Sequence, residues 1–217
     1  MHPITYFLTV AFAAPVFGNA SCVLPADFKP PADVFVTAER HKNLSYEVER
    51  IIPIPVSRFQ TWINSVSLDS LLRGTKDIPR VAGTVEFGGI SFPSIGARRY
   101  VCLADGSSAV EQVVAYQENS YFAYKVGAYT LPQAQGIEYG YGEFFMEPEG
   151  DATRLKWRYS FSLKKDRFPG NWGALGRLLF RKTFLDTKYA AFMNGAVDTI
   201  KSEAESANRE SYQRGRR

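Results

Sequence analysis

The stretch "TRLKWRYSFSLK", residues 153–164, alternates without a break. Leu155, Trp157, Tyr159, Phe161 and Leu163 fall on one face, and Arg154, Lys156, Arg158, Ser160 and Ser162 on the other. That period of two is the period of a β-strand with one side on an apolar layer and the other on water. From about residue 171 the apolar period lengthens. Leu178, Leu185, Tyr189, Phe192, Met193, Ala196, Val197 and Ile200 recur every few residues, with Arg181, Lys182, Lys188 and Lys201 between them. This predicts one long amphipathic helix ending near Ala204, followed after Ala207 by a disordered basic tail, 207–217. Neither element can bury its apolar side alone, so a sheet that wraps the helix is the expected solution.

The rest of the chain supplies such a sheet. "NLSYEVERII" alternates as a first strand, and "PIPVSRFQTWINS" follows with Val56, Phe59, Trp62 and Ile63 on one helical face after a proline start. Residues 69–72 are expected to add a further turn. Then come strands in "RVAGTVEFGG", "GARRYVCLA", "SAVEQVVAY", "SYFAYKVGAY" and "QGIEYGYGEFFMEP", with turns at Asp105-Gly106, Glu118-Asn119 and the "EGDA" ahead of the strand described first. Turn signals of this kind between alternating segments predict an antiparallel meander. The expected class is α+β: a curved antiparallel sheet around a long C-terminal helix.

The 217 residues suit one domain, and the net charge is 26 − 22 = +4, partly carried by the C-terminal tail. Scattered basic residues of this kind do not make a nucleic-acid surface, and no nucleic-acid partner is expected. The only histidines are His2 and His41, which removes a Ser-His-Asp triad or a histidine-rich metal centre from the domain. "GNWGALG" has neither the glycine spacing nor the preceding strand of a dinucleotide site. No cofactor and no metal are expected.

Residues 4–17 form an apolar run too short to span a bilayer but long enough for a signal-peptide core. Cleavage after Ala20 would leave Gly18 and Ala20 at the small-residue positions. Residues 1–20 are therefore expected to be a leader for a secreted or periplasmic protein, although the leading region lacks Lys and Arg. The alternative is a cytoplasmic protein whose apolar extension packs on the domain. Residues 21–43 are proline-rich and predict an irregular arm. Cys22 and Cys102, the only cysteines, allow one bridge, but the ordinary expectation for Cys102 within a strand is a small buried hydrophobe.

The phrases "YEVERIIPIPVSRFQTWINS", "GARRYVCLADGSSAVEQVVAYQENSYFAYKV" and "GDATRLKWRYSFSLK", together with the closing helix, resemble the SRPBCC superfamily of START-like, helix-grip proteins, which includes polyketide cyclase/dehydrase and lipid-transport domains. The resemblance covers residues 44–206 or so. It implies a deep cavity between sheet and helix for a small hydrophobic molecule of lipid, polyketide or aromatic type. In a minority of relatives it implies chemistry there. The long N-terminal arm departs from the pattern.

In such a cavity the polar residues of interest are Arg99, Glu111, Tyr124, Tyr141 and Glu143, with Glu111 and Tyr124 the candidates for acid–base catalysis. Arg99 and Glu111 stand as an exposed cross-strand ion pair, a ligand-orienting pair or a catalytic one; alternation alone leaves all three open. Tyr124, Tyr141, Phe145, Trp157, Tyr159, Phe161 and Phe192 are expected to line the cavity or simply to pack a core. The function expected is binding of a small hydrophobic ligand. The alternatives are a cofactor-independent cyclase or dehydratase and an interaction module with a filled core. "GNWGALGRLLFRK" predicts the start of the long helix, with a lid loop before it, although Trp172 and Leu175 ahead of Arg177, Arg181 and Lys182 also fit a membrane-surface segment.

Overall fold

A computed structural model describes residues 22–31 and 44–214. The expected leader, residues 1–20, and most of the arm lie outside the described residues. Seven strands form one antiparallel sheet: β1 (Ser45–Ile52), β2 (Val81–Phe87), β3 (Arg98–Leu103), β4 (Ser108–Gln117), β5 (Tyr121–Gly127), β6 (Ile137–Glu149) and β7 (Ala152–Leu163). Their order is β1-β7-β6-β5-β4-β3-β2, so the meander from β2 to β7 is closed by the first strand pairing with the last. Helices α1 (Val56–Ser65) and α2 (Leu68–Leu71) bridge β1 and β2.

The local chemistry follows the sequence. Pro55 starts α1, which turns Val56 and Phe59 inward. Gly106 adopts a φ of +84°, and the Asp105 carboxylate accepts from the Ser107 N–H and hydroxyl, closing the β3–β4 turn.

The C-terminal helix begins as α3 (Gly173–Phe180), widens to a π-helical stretch over Arg181–Tyr189 and continues as α4 (Ala190–Arg214). Two expectations are corrected here. Helix continues through 207–214, where a disordered tail was expected, because "SEAESANRESYQR" has no glycine or proline before Gly215 and adds a Lys201–Glu205 pair one turn apart. The uniform three-to-four period is also broken: π geometry bonds residue i to i+5, so residues five apart come to overlie one another.

Leu185, Met193, Val197 and Ala204 from this helix meet Ile52, Ile54, Phe59 and Leu155 in the apolar core. Arg50 of β1 ties sheet to helix through Asp198 Oδ1 at 2.8 Å and Asn194 Oδ1 at 3.0 Å. The face of the sheet away from the helix is drier than expected. Lys125, Glu143, Ser160 and Ser162 are buried there, and aromatic side chains of the neighbouring strand reach the two charged ones: Lys125 Nζ on β5 sits 4.4 Å from the ring centre of Tyr139 on β6, and Tyr121 Oη on β5 donates to Glu143 on β6 at 2.8 Å.

Cys102 is not a free buried hydrophobe. It is bridged to Cys22, with a Cα–Cα distance of 5.7 Å, and Phe28 packs edge-on against Phe87 and Tyr100. The arm from 22 to 31 is thus fastened to the outer side of β2 and β3. The alternation that put Arg99 and Val101 on one face put Cys102 on the other, where only the arm can reach it.

The bridge spans a sequence separation of 80 residues. Pairing Cys22→Ser with Cys102→Ser is expected to lower the unfolding free energy by about 2–4 kcal/mol in a urea titration, with native circular dichroism unchanged.

Candidate functional site

Between the concave face of the sheet and the helices lies a cavity of about 520 Å³. A void able to hold one water has roughly 30 Å³ of liquid-water volume, so a filled core is excluded and the size is that of a small-molecule site. Solvent-exposed Asn64, Lys76, Asp77 and Gln133 mark where the chamber meets water. The loop after α2 closes one side, held to the long helix by Lys188–Asp77 at 3.1 Å and Arg73–Glu203 at 2.6 Å.

Arg99, Glu111, Tyr124, Trp157, Tyr159, Phe161 and Phe192 all stand in the cavity wall. Tyr141 and Phe145 do not. On β6 the inward positions are Gly140, Gly142, Phe144 and Met146, so Tyr141, Glu143 and Phe145 take the opposite phase. There Phe145 stacks beside Tyr121 and under Arg158, while Glu143 accepts from Tyr121. In "YGYG" the tyrosines point out and the glycines point in.

Those glycines shape the site. Gly142 lies in register between Tyr124 on β5 and Tyr159 on β7. A Cβ on Gly142 would fall 2.2 Å from Tyr124 Cζ, and one on Gly140 2.0 Å from Tyr159 Oη. With no side chains between them, both phenol rings lie across β6. Phe144 stacks on Trp157 with centroids 5.2 Å apart, which completes an aromatic floor.

Three further residues join this wall that sequence spacing did not single out as site residues. The chain leaves β5 through Ala128, in the left-handed region at φ 50°, and then brings Tyr129 to the cavity. The Gly140 N–H and Tyr159 hydrogen-bond to Tyr129, and Tyr159 also meets Tyr189. Phe184 and Tyr189 are five apart, the π-helical spacing, and both line the chamber with ring centroids 5.7 Å apart.

Arg99 and Glu111 are direct cross-strand partners on β3 and β4. Both are largely shielded from water, with Arg99 Nη2 2.6 Å from Glu111 Oε1. The Arg99 guanidinium also lies over Phe92, 4.1 Å from its ring centre, and its Nε–H has no acceptor among the described residues. Burial raises the Glu111 carboxyl above its ordinary 4.5, while the Arg99 charge opposes the shift. Burial, reinforced by the Glu111 charge, holds the Tyr124 phenol well above 10.0. Burial likewise raises Tyr129, Tyr159 and Tyr189, so the tyrosines act as neutral hydrogen-bonding groups. No cluster of metal-ligating side chains occurs among the described residues.

The helix-grip arrangement recurs in solved structures. The di-domain aromatase/cyclase StfQ of the steffimycin pathway superposes with a TM-score of 0.53 at 20% identity over 77% of this chain, which spans 53% of that protein. A norcoclaurine synthase mutant of Thalictrum flavum, bound to a transition-state analogue, gives 0.53 at 13% identity over 76% of this chain and 95% of its own. The ZhuI aromatase/cyclase of a Streptomyces species gives 0.52 at 12% over 74% and 93%. The fold is SRPBCC-like. At these identities the helix-grip likeness is one of architecture. No protein-family model matches the chain, and no curated protein matches it significantly.

Gly142→Ala is expected to cost about 1–3 kcal/mol by driving a methyl into the Tyr124 ring. Adding Tyr124→Ala should return part of that loss, measured as a coupling in thermal or urea unfolding. A second expectation concerns pH. A carboxyl whose folded pKa lies above its unfolded value binds more protons in the native state, so stability falls as pH rises from about 4.5 through the folded value. Glu111→Gln should flatten that part of the stability–pH curve, and an unchanged slope would assign it to another group.

Proposed function

We propose that this chain binds a small molecule with an apolar, ring-sized body and an oxygen-bearing end. The observation that carries this is the chamber's asymmetry. Its walls are aromatic and aliphatic, and one buried charged pair, Arg99–Glu111, stands in them with an Arg99 N–H still free to donate. A buried donor without an acceptor costs about 1–3 kcal/mol, and a ligand oxygen placed on it would recover that cost. The tyrosine row supplies neutral donors and acceptors along the remaining length. No helix among the described residues is long and apolar enough to cross a membrane. We further propose that the chain works in an oxidising compartment, which the Cys22–Cys102 bridge and the apolar run of the sequence at 4–17 both support.

A second reading, a cofactor-independent cyclase or dehydratase, is favoured by the raised Glu111 carboxyl facing Tyr124. A carboxylic acid brought towards neutrality in an apolar site can give or take a proton.

Native mass spectrometry of the purified chain reads any retained molecule. Naphthalene and 2-naphthol then separate body from end, because they differ by one hydroxyl. The chain should prefer 2-naphthol by about tenfold or more, and Arg99→Met should erase the preference while keeping naphthalene. Equal affinities in the unaltered chain, or binding of neither, would overturn the proposal. If a retained molecule is converted, and Glu111→Gln stops conversion without weakening binding, the enzyme reading replaces the carrier.

A further inference from the structure

Helix α3 is apolar on two sides. Its inward side is buried through Gly176, whose close approach to the Pro169 carbonyl leaves no room for a side chain, and through Phe180, which packs edge-on against Phe161 at 5.4 Å. Its outward side carries Leu175, Leu178 and Leu179, one turn beyond Trp172, and Trp172 stacks edge-on with Phe168 at 5.1 Å. Phe168, Trp172, Leu175 and Leu178 are 51–63% exposed. A helix in a soluble domain ordinarily turns such a face inward, and large contiguous apolar patches mark interaction sites.

Charge identifies the partner. Residues 164–182 hold six Lys or Arg (Lys164, Lys165, Arg167, Arg177, Arg181 and Lys182) against Asp166 alone, a balance of 6 − 1 = +5. The whole chain carries +4, so everything outside this segment sums to 4 − 5 = −1. The basic charge of the protein is therefore concentrated in the segment that carries this exposed apolar cluster. Lys165, Arg167, Arg177 and Lys182 are themselves exposed. Aromatic and leucine side chains rimmed by Lys and Arg match an anionic lipid surface, where the rings and leucines enter the headgroup layer and the cations meet phosphates. A second copy of the chain would oppose one basic rim to another, which charge disfavours.

We propose that the outward face of α3, with Phe168 and Trp172 ahead of it, docks this protein on an anionic lipid surface. The place of the patch gives the docking a purpose, and in that respect alone it rests on the ligand-binding reading. Residues 164–172 pack directly on the loop after β5. Lys164 N donates to the Gly136 carbonyl at 2.9 Å, and Gly136 is pressed so closely on Phe168 that a Cβ would lie 2.1 Å from the Phe168 oxygen. The same loop provides Leu131, Gln133 and Ala134 to the cavity wall. Docking thus sets one wall of the chamber beside the lipid, where an apolar ligand can exchange without crossing water.

Flotation of the purified full chain with phosphatidylcholine vesicles, with and without phosphatidylglycerol, tests this. Binding should require phosphatidylglycerol, weaken with salt and shift Trp172 fluorescence to shorter wavelength, a shift absent in Trp172→Phe. Arg177→Gln with Lys182→Gln should lower the partition coefficient about 30-fold, the equivalent of roughly 1 kcal/mol for each cation near the surface. Leu175→Glu with Leu178→Glu should abolish binding. All four side chains are exposed, so melting temperatures should hold, which separates lost docking from lost fold. Binding indifferent to phosphatidylglycerol or to both double variants would overturn the proposal. So would a dimer in light scattering that the leucine variant dissociates, which would make the face a self-association surface. Because flotation needs no cavity ligand, its failure is distinct from failure of the naphthol comparison.

Discussion

The clasp of Tyr124 and Tyr159 over the two glycines of β6 governs the concave side of this protein. A sheet that wraps a helix must fill or leave open the space under its curve, and bulky residues at every inward position would close it. Here β6 contributes no side chain at two successive inward positions, and its neighbours lay their rings into that space. The rings then stand as a floor, and the volume above them stays open. Phe144 and Trp157 extend the same floor towards the end of the sheet where Leu155 and Met146 close on the helix.

The charged pair has to be understood against that apolar surface. Removing two ions from water is costly, and their attraction repays it only when the remaining donors and acceptors are also met. Arg99 and Glu111 approach as an ion pair at 2.6 Å and Phe92 covers the guanidinium, but the Arg99 Nε–H and Glu111 Oε1 both lack a well-formed hydrogen bond among the described residues. As a stabilising device the pair is therefore poor, since two apolar residues of equal volume would serve the fold at least as well. Its retention inside an otherwise apolar chamber makes sense for recognition, in which the donor is completed from outside the chain. The surrounding phenols, held neutral by burial, add polarity without adding charge.

Much of the architecture could be read from periodicity. The alternation through Leu155, Trp157, Tyr159 and Phe161 gave the inward face of β7 directly, and the Asp105-Gly106 and Glu118-Asn119 breaks located turns, because period and turn chemistry are local properties of the backbone. Arg99 and Glu111 were legible as a cross-strand pair, but their depth was not, since depth belongs to the curvature of the sheet. Aromatic content alone places Tyr141 and Phe145 in the cavity wall, whereas the phase of Phe144 and Met146 turns glycine inward and tyrosine outward. Tyr189 and Phe184 are not legible as a site pair, because a five-residue spacing shares a face only where the helix widens to π geometry. The Cys22–Cys102 bridge depends on where an irregular arm returns, which no local pattern encodes.

That arm bears on the polar end of the chamber through strand β3. Arg99 and Val101 face the cavity, while Arg98, Tyr100 and Cys102 face the arm. β2 is the outermost strand on this side of the sheet, and edge strands, paired on one side only, are the first to open. Opening there would let Arg99 swing away from Glu111 and admit water to the charged pair of the cavity wall. The disulfide at Cys102, the Phe28 ring wedged between Phe87 and Tyr100, and the Arg98 donation to the Pro31 carbonyl all act on the outer side of the β2–β3 pair. A covalent brace on the back of the strand thus holds the charged group on its front. This ties the export reading to the binding reading: in a reducing compartment the brace would be open, and the registry of Arg99 on Glu111 would depend on the edge strands alone.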